Sequence, residues 1–462
     1  MVDYNYIVAD KYSSADMRLL FSKENTILNW RKCWIALAEA QNELGLKRVS
    51  KSKISELKKQ LTNLKLDLMD KYESELKHDV MAAVKVYGDV CPNAKDIIHL
   101  GATSQFVKCN TDLIVQREAL VIIRKQLLNL LKSFEKLIDK TKNIPTVGYT
   151  HFQPAQPTTF GKRFSVYAYD LLTDLEDLDA FEIPFRGAKG ATGTQASFLK
   201  LFDGDVSKVK KLDMLIAKKM GFSKVFPITT QTYTRKLDIK IASLLANIAS
   251  TCKKFATDIR LLSNLKLLDE PFGSKQVGSS AMPYKQNPMK SERISSLARK
   301  VMNNLNDFYQ VYSEQWLERS LDDSAIRRID IPENFMLTEY ILSCMNQVVS
   351  GLVIYEKQSI SLLKKELPFL ATEEILMESV KKGADRQKIH EIIKKHSLLV
   401  AKNVKLNGFE NDLLERLAKD KSIPLSDKEL DKLLFGKSFT GMAINQCDDF
   451  LLILRKKLNQ KR

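Results

Sequence analysis

Glycine and proline are scarce, 17 and 12 among 462 residues, and most of both fall between periodic runs. Few breakers mean long uninterrupted helices. The six cysteines (Cys33, Cys91, Cys109, Cys252, Cys344, Cys447) are scattered, with no CxxC and no zinc spacing. That pattern excludes a zinc module and suggests free thiols in a reducing compartment. The Met-Val-Asp-Tyr-Asn-Tyr start has neither a basic nor an apolar signal region, and no run approaches the ~18 apolar residues of a spanning helix. A soluble, cytoplasmic protein with no membrane partner is the expectation. The formal net charge is +17, yet no arginine-rich tail or basic run interleaved with aromatics accompanies it. Pairs such as Lys210-Lys211 and Lys394-Lys395 lie along helical faces, which reads as solvated surface rather than a nucleic-acid footprint. Walker and Rossmann glycine patterns, a GxSxG elbow and a Ser-His-Asp order are all missing. What remains is acid–base chemistry without a metal or cofactor, acting on an anion.

What is present is helical periodicity. Thr26–Leu44 places Ile27, Trp30, Trp34, Leu37 and Ala38 at helical spacing, with both tryptophans read as core. From Asn110 onward Leu113, Leu120, Leu127 and Phe134 recur every seven residues, as do Ile123, Leu130 and Leu137. This stripe of alternating three and four marks long helices packed at shallow angles. Further runs span 158–182, 234–269, 289–316 and 333–357, and the run at 234–269 would measure roughly 50 Å. Nothing in the middle region alternates as strands do, although 186–204 and 221–233 leave room for minor strand or loop. The expected fold is all-α: an N-terminal helical domain over 1–103, a central long-helix bundle over 104–354, and a C-terminal helical domain over 355–462, where Pro368, Gly383, Gly408 and Pro424 break shorter helices.

In a bundle the apolar stripes are structure, and polar sites gather where helices break. One break is long and polar, Pro271 to Arg293, with Gly278-Ser279-Ser280 and Lys285. A segment of that length inside a helical protein is either functional or a solvated linker. Freed backbone N–H groups and a lysine suit it to hold an oxyanion. Other breaks hold His78-Asp79, Gly101-Ala-Thr-Ser104 and Thr150-His-Phe-Gln-Pro-Ala-Gln156. Arginines stand in Gln231-Thr-Tyr-Thr-Arg235 and Glu318–Arg328. Only five histidines occur; His78 and His151 lie in breaks and His99 borders one. A lone histidine is more often a structural hydrogen-bonding group, but its ordinary pKa makes it a natural proton donor near neutrality.

Gly278-Ser-Ser-Ala-Met-Pro-Tyr-Lys-Gln-Asn-Pro288 resembles the signature loop of the fumarase/aspartase superfamily, and 101–104 and 150–156 resemble its other two segments. Within it, His78-Asp79, Arg186–Ser197, Gln231–Arg235 and Leu321–Arg328 resemble the adenylosuccinate lyases, in their animal-type form. The resemblance implies elimination of fumarate from adenylosuccinate, giving AMP, and from SAICAR, giving AICAR. It also implies a homotetramer with active sites assembled from three subunits. Ser279 then maps onto the general base and His151 onto the general acid. The implied substrate contacts are Lys11, Tyr12, Lys77, His78, Asp79, Thr103, Ser104, Thr150, Gln231, Ser280, Met282, Arg293, Arg319, Ser324 and Arg328. Lys285 and Asn287 would grip the succinyl group.

In two places the chain departs from its close relatives. Lys11 precedes Tyr12, and Lys77 precedes His78, where they have arginine. Lysine offers a point charge instead of a bidentate fork, so phosphate grip there is expected to be looser, with activity retained. One rival reading is another lyase of the superfamily, such as one acting on argininosuccinate. The other is a basic helical scaffold for nucleic acid, whose binding would fall steeply with salt.

Overall fold

The computed structural model describes residues 6–273, 275–434 and 439–460. Its main elements in chain order are helices α1 (Lys23–Glu43), α2 (Leu66–Leu76), α3 (Asp79–Val90) and α4 (Ser104–Thr141). Strands β1 (Pro145–Thr150) and β2 (Gln153–Thr159) follow, then α5 (Phe160–Ala180), α6 (Lys236–Asn264) and β3 (Leu268–Asp269). Beyond them come α7 (Met289–Ser313), α8 (Asp323–Gly351), β4 (Val353–Ile354), α9 (Glu356–Leu370), α10 (Arg386–Asn407) and α11 (Ala443–Asn459). The fold is all-α, with two small two-stranded sheets as its β structure among the described residues. No described helix is long and apolar enough to cross a membrane.

The chain divides into two compact units, one formed by Met1–Leu127, Asp174–Cys252 and Ser296–Ser343, the other by Leu128–Thr173, Lys253–Ser295 and Cys344–Arg462. All seven residues of the α4 stripe are buried. In the second unit Phe134 meets the Phe255 ring edge-on at 5.6 Å, and Tyr167 meets the same ring at 5.4 Å. The C-terminal helices build their own cluster from Leu367, Ile375, Ile389, Leu413 and Leu417. Trp30 and Trp34 are buried, and all six cysteines are buried and free.

Two features differ from the sequence pattern. Residues 145–159 form an antiparallel hairpin, not a bare linker, with a register shift at Gly148/Tyr149. Pro154 and Pro157, together with a strand whose residues are mostly half-buried, hide the alternation that normally reveals strands. In 221–233 the β structure is one bridge, Val225 to Phe185. Helix α8 begins at Asp323, ten residues before the expected start at 333, and runs through Pro332. Proline usually ends a helix because it offers no N–H to the carbonyl four residues back; here buried neighbours on both sides, Arg327, Ile331 and Phe335, hold the helix together. Helix α9 likewise contains Pro368.

His99 is structural. Its Nδ1 accepts from Trp34 Nε1 at 2.9 Å, so the neutral ring carries its proton on Nε2. Burial, with the nearby His78, pushes its pKa down to about 4. A histidine kept neutral by folding adds stability that is present above its unfolded pKa and lost as pH falls from about 6.5 towards 4. Between pH 7.5 and 5 this one group should cost about 2 kcal/mol. His99→Asn keeps an acceptor and tolerates the positive φ of +63°. Urea titrations at the two pH values should show a smaller acid loss in the variant; equal losses would refute the assignment.

Candidate active site

In the first unit three helix N-termini meet around polar side chains. His78 caps α3, its Nδ1 accepting from Met81 N at 3.4 Å, which leaves Nε2 facing Ser104 Oγ at 3.3 Å at the start of α4. Next to it, Asp79 Oδ2 lies 2.8 Å from Lys108 Nζ and 3.7 Å from Arg328 Nη2. Burial pushes the Asp79 carboxyl up, but Lys108, the Val80 N–H and Arg328 outweigh burial and bring it below its ordinary value. At the start of α8, Asp323 joins two arginines: Oδ2 takes Arg235 through Nε and Nη2 at 2.8 Å each, and Oδ1 takes Arg319 Nη1 at 2.6 Å.

These groups border a cavity of about 570 Å³, with Asp79, Arg319, Ser324 and Arg328 in its wall. Below Arg235, the buried Arg327 bonds Asp238 Oδ2 and Asp112 Oδ2 at 2.9 Å each and Tyr233 Oη at 2.6 Å. Arg235, Arg327, Asp238 and Asp323 are all almost wholly buried. Each buried charge therefore has an opposite partner, as burial demands.

Several expected contacts stand apart from this cluster. Lys11 ends a short helix and Tyr12 caps it, the Tyr12 ring meeting Tyr340 edge-on at 5.0 Å. Lys77 is exposed in a left-handed conformation at the end of α2. The Thr103 hydroxyl is buried without a hydrogen-bond partner among the described residues. Gln231 Nε2 donates to Ala191 O at 3.0 Å. The segment that Gln231 touches is a packed one: Arg186 and Gly187 N–H groups both donate to Asn110 Oδ1, at 3.0 and 3.1 Å.

The second unit holds the other half of the expected chemistry. Thr150 ends β1, and the two residues of the hairpin turn, His151 and Phe152, have φ of +53° and +58°. Two-residue hairpins require such backbone, but normally recruit Asn and Gly for it. Bulky residues held in that region cost energy, and such outliers gather at functional sites. His151 is exposed and makes no hydrogen bond or ion pair with any described residue.

The signature loop lies between β3 and α7, apart from Ser274, which is outside the described residues. Glu270 ties its two ends. That buried carboxylate accepts from Lys290 N at 2.8 Å and from Ser291 N and Oγ at 3.0 Å each, capping the first turn of α7. Within the loop Ser279 Oγ accepts from Met282 N at 3.1 Å and Ala281 N at 3.4 Å. These are donors that favour an alkoxide, and they are of the loop backbone N–H kind that the sequence pointed to beside Gly278 and Lys285. Gly278 serves another need: a Cβ there would lie 2.1 Å from the Lys285 carbonyl. Asn287 Nδ2 donates to Gly278 O at 2.8 Å. Ser280, Met282 and Lys285 are exposed, and Arg293 lies in the second turn of α7. Ser279 and His151 share no hydrogen bond.

Two family models match this chain: one described as Lyase over residues 10–303, and one described as Adenylosuccinate lyase C-terminus over 368–450. The adenylosuccinate lyase of Saccharomyces cerevisiae is 46% identical over 98% of this chain and 95% of its own length. That of Schistosoma mansoni is 43% identical over 97% of this chain and 94% of its own. The chain belongs to the adenylosuccinate lyase family. Among solved structures, 3-carboxy-cis,cis-muconate lactonizing enzyme from Pseudomonas putida superposes with a TM-score of 0.84 over 99% of this chain and all of its own, at 21% identity. A fumarate lyase from Mesorhizobium sp. BNC1 gives 0.82 at 20% identity, over 97% of this chain and 99% of its own. Those two likenesses bear on the fold, which is that of the superfamily to which adenylosuccinate lyases belong.

Lys108, Asp323, Arg235 and Glu270 carry much of this geometry and escaped the sequence reading as site residues. Arg235 and Asp323 lay inside quoted motifs, so the signal was there. Glu270 is 20 residues from the helix it caps, a separation at which no local capping pattern applies.

Proposed function

We propose that this chain is an adenylosuccinate lyase, eliminating fumarate from adenylosuccinate to leave AMP, and from SAICAR to leave AICAR. Family membership across nearly the whole chain is the observation that carries this reading. Ser279 removes the proton from the carbon next to a substrate carboxylate, and that bond's electron pair moves into the carboxylate as an aci-dianion. The pair returns to form the double bond of fumarate as the C–N bond breaks, and His151 delivers a proton to the departing nitrogen. Loop N–H groups around Ser279, with Lys285 and Asn287, offset the charge that builds up. The cavity in the first unit takes the phosphate-bearing end, through Arg319, Ser324 and Arg328 with His78 and Ser104 beside it. The working form is a homotetramer with shared sites, in the cytoplasm.

The test is direct. Purified protein given adenylosuccinate should release fumarate, followed by ultraviolet absorbance, and should do the same with SAICAR. Argininosuccinate should yield none. Fumarate from argininosuccinate alone would favour the rival lyase, and no fumarate from any of the three would sink the reading.

A further inference from the structure

We propose that Lys108 is a substrate-binding residue of this chain, a cation that grips the substrate phosphate alongside Arg328. The inference rests on the adenylosuccinate lyase reading. Lys108 is one turn beyond Ser104 on α4, and therefore on the same face. It lines the cavity with Arg319, Ser324 and Arg328, and its side chain is 23% exposed, enough for a ligand to reach. Asp79 uses one of its three ammonium donors.

The local charge balance is the deciding observation. Asp79 Oδ2 is shared between Lys108 and Arg328, two cations on one carboxylate. The same spot receives the N-termini of α3 and α4, each worth roughly half a positive charge. A lysine near such a terminus is unfavourable for the helix alone. Asp323 does not help, because it is already divided between Arg235 and Arg319. Asp238 and Asp112 are both engaged by Arg327. At Asp79 itself two cations face one carboxylate, which leaves one net positive charge to which the two helix N-termini add, while Glu73 and Lys23 lie elsewhere in the same cavity wall. A phosphate monoester, at about −1.5 to −2 near neutral pH, is the anion such a spot suits. Asp79 is then a hub that holds Lys108 and Arg328 apart until the phosphate arrives.

Lys108→Met and Lys108→Arg in the full chain separate this from a plain surface ion pair. Charge-assisted hydrogen bonds are worth about 1.5–3 kcal/mol, or roughly 10- to 100-fold. Lys108→Met should raise KM for adenylosuccinate and the inhibition constant of AMP by that factor, with kcat nearly unchanged. Lys108→Arg should restore most of the loss, and adenosine, which lacks the phosphate, should bind both variants as it binds the parent. Unchanged AMP inhibition in Lys108→Met would overturn the proposal. So would equal weakening of AMP and adenosine, since Lys108 would then only hold the cavity's shape. If the parent protein released no fumarate, the lyase reading would fail by itself, while calorimetric binding of AMP against adenosine would still decide the role of Lys108.

Discussion

Ser279→Ala and His151→Ala should each lower turnover by at least about two orders of magnitude, the usual worth of a positioned acid or base. Neither change should abolish substrate binding, because Arg319 and Arg328, proposed to grip the phosphate, stand in another part of the chain. The two losses have different physical origins. In Ser279→Ala the Ala281 and Met282 N–H groups lose their acceptor, and no group remains to take the carbon-bound proton. In His151→Ala the leaving nitrogen must depart unprotonated, which raises the barrier for C–N cleavage and leaves carbon acidity intact. Exchange of the substrate's carbon-bound proton with solvent deuterium should therefore persist in His151→Ala and vanish in Ser279→Ala. Near-normal turnover in either variant would remove that residue from its assigned role.

The helices were legible because an apolar stripe with a 3.5-residue period has one stable use. Leu113, Leu120, Leu127 and Phe134 are all buried where the pattern puts them. Elements whose cause is not local were misread. The hairpin at 145–159 was hidden by prolines on a partly exposed strand, and α8 was cut short at its N-terminal end, where the helix runs on through Pro332. The site divides along the same line. Its motifs stood out as polar breaks between periodic runs, and His78, Asp79 and Ser104 do meet. What joins them to other parts of the chain was not readable. Asp323 and Arg235 are 88 positions apart, and no spacing rule reaches that far. Lys108 lies inside a helix among ordinary surface lysines, and only its nearness to Asp79 sets it apart.

Mixing the two inactive proteins should restore activity. A general acid is typically oriented by a neighbouring group, yet His151 has no hydrogen-bond partner among the described residues of its own chain. It sits on a turn whose backbone is held in an unfavourable region, a cost that makes sense if the exposed imidazole is presented to something else. The long helices also leave apolar residues in solvent, among them Val121, Val166, Tyr169, Tyr309 and Ile329. Neighbouring copies of the same chain would cover such faces, and closed symmetric assembly is the common outcome for helices of this kind. The partner that orients His151 would then come from another subunit, and so would the Ser279 that works with it. If the two come from different chains, an equal mixture of His151→Ala and Ser279→Ala subunits gives about one site in four with both residues intact, if exchange in the symmetric oligomer is random. Activity near a quarter of the parent's should appear after the mixture is partly denatured and refolded, and neither variant treated alone should recover. Tagged subunits would establish that exchange took place. Complete exchange without any regain would mean that one chain supplies both residues, and the shared site would have to be abandoned.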